Sequence, residues 1–508
     1  MKKKLLIYII LTLVVSALLI CTSCNNTSNG ENENKEHTHI EETIQAKAPT
    51  CTEEGFTEGK KCSICDEILL EQEKINSLGH SFDNNYKCEK CSFTKKVSQG
   101  LEFALNFSKT GYDVIGIGSC EDEHLVIPFE YEGLPVVGII DQALYFQEQL
   151  KSVTIPNSVT KISPYSLACN INIEEFIIGE NNQSYKTIDG NIYTKDGETL
   201  VQYACGKKDT EFILPKGVKT IAPYSLYGVM CLEHIDFGTE LTTISDYAAS
   251  MCPSLKTIVI PEQVEYIGEY SFFYSTGATS IVIKSKNVEI GERAFGRSFK
   301  LVEIYNLSGV DLTSNLDENS KIGSPVIMHT SLNEKSVMET EGEFVFTIND
   351  SKVYLVDYIG NEANVVLPQS YKGNSYIINR GAFYMNSKIE SVIIPKGVTA
   401  IGEHAFQECY SLKYIEIADS VDTIGDRAFC IGESLGKIVI GNSASNVDSR
   451  AFDNCETAEV FVKGENKGNA LDELLNEKTA RVYYFSEKEP TQDGNYWHYV
   501  DGAVTAWN

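Results

Sequence analysis

Basic residues are scarce in this sequence. Its 508 residues carry 43 Lys and Arg against 71 Asp and Glu, a formal charge of −28. A nucleic-acid binder needs a basic face to neutralise phosphates, so that class is excluded. Trp occurs only 2 times and Met 6 times, yet 27 Tyr and 22 Phe supply ample apolar mass. A chain with 42% hydrophobic residues buries a sizeable core and is not disordered as a whole. Catalytic signatures are missing: there is no Gly-x-Ser-x-Gly, no His-Glu-x-x-His, no phosphate-cradling glycine loop and no dinucleotide fingerprint. His124, His234, His329, His404 and His498 share no motif, and His404 sits at a variable position expected on a solvated face. Paired carboxylates are so common in an acidic chain that they carry no signal for acid–base chemistry.

Long apolar runs are also lacking, except for Leu5 to Ile20 behind Lys2, Lys3 and Lys4. A basic start, a short apolar stretch and small residues form the pattern of a secretory signal, too short for a membrane span. Ser23-Cys24 then resembles the acylation site of bacterial lipoproteins, and that resemblance implies a lipid on Cys24 and a chain exported and held at the outer side of the cell membrane. Residues 1–24 are therefore read as signal and attachment site. Residues 25–36, rich in Asn, Ser and Glu, are read as a solvated tether.

Residues 37–96 hold His37, His39, Cys51, Cys62, Cys65, His80, Cys88 and Cys91. Cys62-x2-Cys65 and Cys88-x2-Cys91, 22 residues apart, are spaced like the two knuckles of a zinc ribbon. The wording around Cys51, Cys62, Cys65 and Leu78-Gly79-His80 also resembles a short module of exported Gram-positive proteins. That resemblance implies a Cys3His set of Cys51, Cys62, Cys65 and His80, with Cys88 and Cys91 opening a second unit. Structural zinc and disulfides both remain open, since exported thiols meet an oxidising environment. Either would staple a module too short to build its own core.

The rest is a repeat array. Ile401-Gly402-Glu403-His404-Ala405-Phe406 returns as Ile424-Gly425-Asp426-Arg427-Ala428-Phe429. The Ala position, with Ser substituting, falls at 143, 166, 225, 248, 271, 294, 382, 405, 428 and 451, mostly 23 residues apart. Leu255, Ile258 and Ile260 before Pro261, then Val264 and Ile267-Gly268, mark short strands separated by turns. No single coil closes a core, so the coils must stack into a β-rich solenoid. Cys252, Cys409 and Cys455 share one column and are expected as buried packing.

The consensus Leu-x-x-Ile-x-Ile-Pro-x-x-Val-x-x-Ile-Gly-x-x-Ala-Phe-x-x-Cys resembles the BspA-like leucine-rich repeats of bacterial surface proteins. The resemblance covers most of 101–464 and implies a non-catalytic surface protein, adhesin-like, binding an extracellular protein or glycan. Two cassettes are expected, 97–307 and 343–464. A β-hairpin insertion at 181–211 interrupts the first, and a polar spacer at 308–342, a bend or gap, separates them. Asn469 to Glu477 reads as a short helix, and the aromatic stretch within 465–508 as a packed cap.

Strand side chains alternate, so the residue between the second and third core positions should face outward. That column reads Thr154, Ile177, Asp236, Val259, Val282, Tyr305, Ile393, Glu416 and Val439. Val259, Val282 and Tyr305 are expected to form a partner-binding patch. The alternative function is an exported enzyme or wall-associated protein that uses the repeats as a substrate or spacer arm. Every region outside the repeats is short for a catalytic domain.

Overall fold

The coil from Leu255 to Phe272 shows how the others are made. Strand Thr257–Ile260 buries Ile258 and Ile260, Pro261 turns the chain, Val264 points inward, and the short strand Tyr266–Ile267 closes the opposite wall. Each buried aliphatic side chain contributes about 1.5–3 kcal/mol. Gly268 follows because the preceding coil approaches too closely for a side chain: a Cβ there would lie 2.4 Å from the Asp246 backbone nitrogen. The coil then bends at two residues of positive φ, Tyr270 and Tyr274, which flank the buried Ser271-Phe272 pair. The same pair of left-handed positions recurs at His404 and Glu408, and at Arg427 and Ile431. Non-glycine residues rarely adopt this conformation, so it is the surrounding coil that holds them there.

The computed structural model describes residues 38–508 except 79–82, 84–85, 141, 311, 313–326, 350, 433, 442, 464–474, 476, 478, 492–493 and 508. Cys24 and His80 lie outside the described residues, as does nearly all of the helix expected at 469–477. Among the described residues no helix is long and apolar enough to cross a membrane. The chain divides into two compact units, Met1–His80 and Ser81–Asn508.

In the second unit, parallel strands stack coil on coil. Thr257–Ile260 pairs with Ser280–Ile283, which pairs with Glu303–Asn306, in register throughout. The opposite wall repeats this with Thr220–Ile221, Thr243–Ile244, Tyr266–Ile267 and Glu289–Ile290. Phe383, Phe406, Phe429 and Phe452 stack in a ladder with centroids 4.7, 5.4 and 5.2 Å apart. Cys252, Cys409 and Cys455 form a parallel column. Each thiol donates to a carbonyl of the preceding coil, at Leu226, Phe383 and Phe429, over 3.1 to 3.3 Å. Burial pushes all three thiols up to about 12, so they stay protonated as packing groups.

The repeats fall into three blocks where the sequence suggests two cassettes. Each has its own hydrophobic core, spanning Leu101 to Ala204, Tyr193 to Leu312, and Phe346 to Tyr484. Each also begins with an antiparallel hairpin whose last strand pairs in parallel with the first coil. These hairpins are Glu102–Leu105 with Tyr112–Gly116, Asn191–Thr194 with Thr199–Gln202, and Phe344–Asn349 with Lys352–Tyr358. The hairpin within 181–211 is thus a block start and not only an insertion. Blocks two and three meet directly: the Lys300 ammonium lies 2.6 Å from the Asp357 carboxylate, and Phe299 packs against Tyr384 and His404. His404 is consequently buried, contrary to the solvated face expected from sequence.

At the C-terminal edge, Cys455–Val462, Thr479–Phe485, Tyr496–Val500 and Ala503–Ala506 extend the sheet. Trp497 is buried, and its indole N–H donates to the Val462 carbonyl over 2.8 Å.

Candidate functional site

The first left-handed position of each coil directs its side chain onto the turn face of the solenoid. In five coils this position is Gln142, Tyr165, Tyr224, Tyr247 and Tyr270, with φ between 54° and 69°. Successive coils are separated by the spacing of hydrogen-bonded strands, about 4.7–4.9 Å. That is also a ring-stacking distance, so identical columns of tyrosine stack. Tyr224 and Tyr247 lie 5.0 Å apart with planes at 11°, and Tyr247 and Tyr270 lie 4.8 Å apart at 5°. Tyr145 stacks on Tyr165 at 4.4 Å, and Tyr165 meets Tyr224 at 4.6 Å across the block boundary. Tyr227 meets Tyr165 and Tyr224 edge-on. Arg293 ends the ribbon: its guanidinium carbon lies 5.6 Å from the Tyr270 ring centre, and an N–H donates to the phenol over 3.1 Å.

Every tyrosine of the ribbon is half-buried. A ring stacked on both faces shows solvent its edge and hydroxyl, so the surface is a row of phenols on a rigid support. An open groove of about 640 Å³ runs beside it, lined by Gln142, Ser163, Pro164, Tyr165, Tyr224, Tyr227 and Tyr247. Burial raises the phenols of Tyr145, Tyr227 and Tyr247 above their ordinary value, so they remain hydrogen-bond donors.

The outward strand column is different from what sequence suggests. The structure does align Val259, Val282 and Tyr305 in one row, but the row continues into His329 of the strand Ile327–His329. The His329 ring stacks on Tyr305 at 4.3 Å, and Tyr305 is buried. His329 itself bridges Glu303 at 3.2 Å and Glu334 at 3.1 Å. Val259 and Val282 are half-buried. The same column is covered at Thr154, which accepts a hydrogen bond from Lys95, and at Val439, which packs with Phe461, Tyr483 and Trp497. Of the three residues Val259, Val282 and Tyr305, Tyr305 is closed off from solvent, and the two valines remain partly exposed. The cover is local, since Asp236 and Ile393 in the same column are exposed.

Of the cysteines singled out for metal, Cys62 and Cys65 sit in one tight turn of the first unit, where Cys51 is buried. Cys88 and Cys91 form a turn of the second unit, with Cys88 buried and Cys91 exposed. The two turns are built alike. In each, the first cysteine's N–H bonds the carbonyl five residues on, and its sulfur accepts the N–H two residues on: Cys62 to Glu67 and Ile64, Cys88 to Phe93 and Lys90.

The family of the BspA type leucine rich repeat region matches residues 134–196, 201–321 and 361–468 in six copies. The chain belongs to the BspA-type leucine-rich repeat family. Among solved structures, this BspA-type protein is similar to a leucine-rich repeat protein from Eubacterium ventriosum, with 20% identity and a TM-score of 0.32 over 61% of this chain. It spans 65% of the length of that protein. It is also similar to a leucine rich cell surface protein from Faecalibacterium prausnitzii, with 18% identity and a TM-score of 0.27, over 76% of this chain and 98% of that one. No curated protein matches this BspA-type chain.

Proposed function

We propose that this is a lipid-anchored, non-catalytic binding protein of the bacterial cell surface. It holds an extracellular protein partner along the tyrosine ribbon from Tyr145 to Tyr270. Membership of the BspA-type family supports a surface binding role. The basic and apolar start before Cys24 supports export and lipid attachment. The carrying observation is the stack of Tyr224, Tyr247 and Tyr270, continued by the tilted contact of Tyr165 with Tyr224, on four neighbouring coils. Tyrosine held rigid loses little side-chain entropy on contact and offers both apolar area and a hydroxyl, which is why it dominates binding hot spots. A protein partner is favoured over a glycan because the rings spend their faces on each other, whereas a sugar ring stacks on an open aromatic face.

The test is a binding screen of the mature, unlipidated chain against matrix proteins, bacterial surfaces and a glycan array. It is repeated with Tyr224→Ser combined with Tyr247→Ser. The expected result is a protein ligand whose affinity falls at least about 10-fold in the variant, as for the loss of hot-spot residues. A folded variant that binds with wild-type affinity, or a ligand found only on the glycan array, overturns the reading. For the anchor, Cys24→Ala should release the protein from membranes or leave it unprocessed. Lipid labelling that persists excludes Cys24.

A further inference from the structure

We propose that the first unit holds a zinc ion on His39, Cys62 and Cys65. The unit has almost no core. Its buried residues among those described are Cys51, Gly55, Gly59 and Cys62, two cysteines and two glycines. Meanwhile Ile64, Ile68, Leu70 and Leu78 are each more than half exposed. Strands of two to four residues with no apolar interior do not hold together by burial, so some other bond must close the unit.

The backbone brings the three ligands together. Strand Gly59–Cys62 pairs antiparallel with Ile68–Leu70, and the turn between them carries both cysteines, with Asp66 at φ 58°. Strand Glu41–Ile44 pairs on the other side with Glu41 opposite Cys62, and the Ser63 N–H bonds the Ile40 carbonyl over 2.9 Å. This register delivers His39 to the turn. The ligand atoms of His39, Cys62 and Cys65 all lie within 4.8 Å of one another.

Two details fit a tetrahedral ion. Zinc–thiolate and zinc–imidazole bonds of about 2.3 and 2.1 Å at tetrahedral angles put sulfur and nitrogen about 3.6 Å apart. His39 Nδ1 lies 3.6 Å from Cys65 Sγ. The other ring nitrogen, Nε2, lies 3.4 Å from a carboxylate oxygen of Glu67. A carboxylate on the far nitrogen of a ligating imidazole is the usual outer-shell partner: it fixes the tautomer and strengthens the donor. Two thiolates with one imidazole favour zinc over hard cations. His39 and Cys65 are exposed, so the ion can enter from solvent. Each thiol that binds releases its proton to solvent.

The test uses the purified mature chain, prepared without chelator. Zinc content is measured by elemental analysis, and affinity by competition with a chromophoric chelator. Cys65→Ser should lower the zinc content by one ion per chain relative to wild type, whereas Cys169→Ser in the repeats should not. Glu67→Gln keeps all three ligands and should weaken affinity roughly 10- to 100-fold at unchanged stoichiometry. With cobalt in place of zinc, the near-ultraviolet thiolate charge-transfer band should diminish in Cys65→Ser. Equal zinc content in Cys65→Ser and wild type overturns the site. So does a Cys62–Cys65 disulfide in non-reduced peptides of freshly purified protein.

Discussion

Lys300 and Asp357, on different repeat blocks, meet at 2.6 Å with their side chains only 13% and 7% exposed. Removing one partner of a buried pair leaves an uncompensated charge and costs about 3–5 kcal/mol, while replacing both with apolar residues is often neutral. Lys300→Met alone and Asp357→Leu alone are each expected to lower the unfolding free energy by that amount. Lys300→Met with Asp357→Leu should recover most of it. Denaturant titration of the two single variants and the double variant checks this. A purely additive cycle would show that the pair does not join the blocks.

Phe406 is sandwiched between Phe383 and Phe429 and is buried. Phe406→Ala is expected to cost about 3–5 kcal/mol. Contacts in a solenoid run between neighbours, so amide exchange should accelerate around Phe383 and Phe429 and stay at the wild-type rate near Ile258. Uniform acceleration across all three blocks would contradict independent cores.

His404 supplies a pH dependence. Burial holds its imidazole down at about 4, assisted by repulsion from Arg380, Arg427 and Arg297, while Gln407 accepts a hydrogen bond from Nδ1. The unfolded chain takes up the proton near 6.5 and the folded chain only near 4. Stability from this group is therefore complete above pH 6.5 and is lost as pH falls toward 4, by about 3 kcal/mol in all. His404→Gln should lose less stability than wild type between pH 6.5 and 4, measured by denaturant titration at each pH. Parallel curves for the two proteins would rule out this linkage.

The repeat core was legible in the sequence because each inward residue answers to an identical neighbour 23 positions away. Ile258, Ile415 and Phe429 needed no tertiary knowledge. Tyr305 departs from its outward column because its cover, His329, comes from the polar stretch 308–342, which has no period to read. His404 departs from its solvated column for a related reason: Phe299 of block two packs on its ring, and that contact crosses blocks. The tyrosine ribbon was visible as Tyr165, Tyr224, Tyr247 and Tyr270, one residue before each Ala or Ser marker. Gln, Arg and His also occupy that column, which makes it resemble a solvated position. In the first unit the turn of Cys62 and Cys65 is plain from its spacing, but His39 comes beside it through a strand register that spacing alone does not reveal.

The parallel rungs have a mechanical consequence. Each coil of 23 residues adds one strand spacing to the stack, yet it holds contour for an extension of about 75–80 Å once its strands separate. Tension applied between the chain ends of a block would peel rungs one after another, as a zipper opens, and would not load them all at once. Under a load carried through the whole array, the chain would lengthen in steps of one coil. The three hairpin-started blocks would act as successive stops.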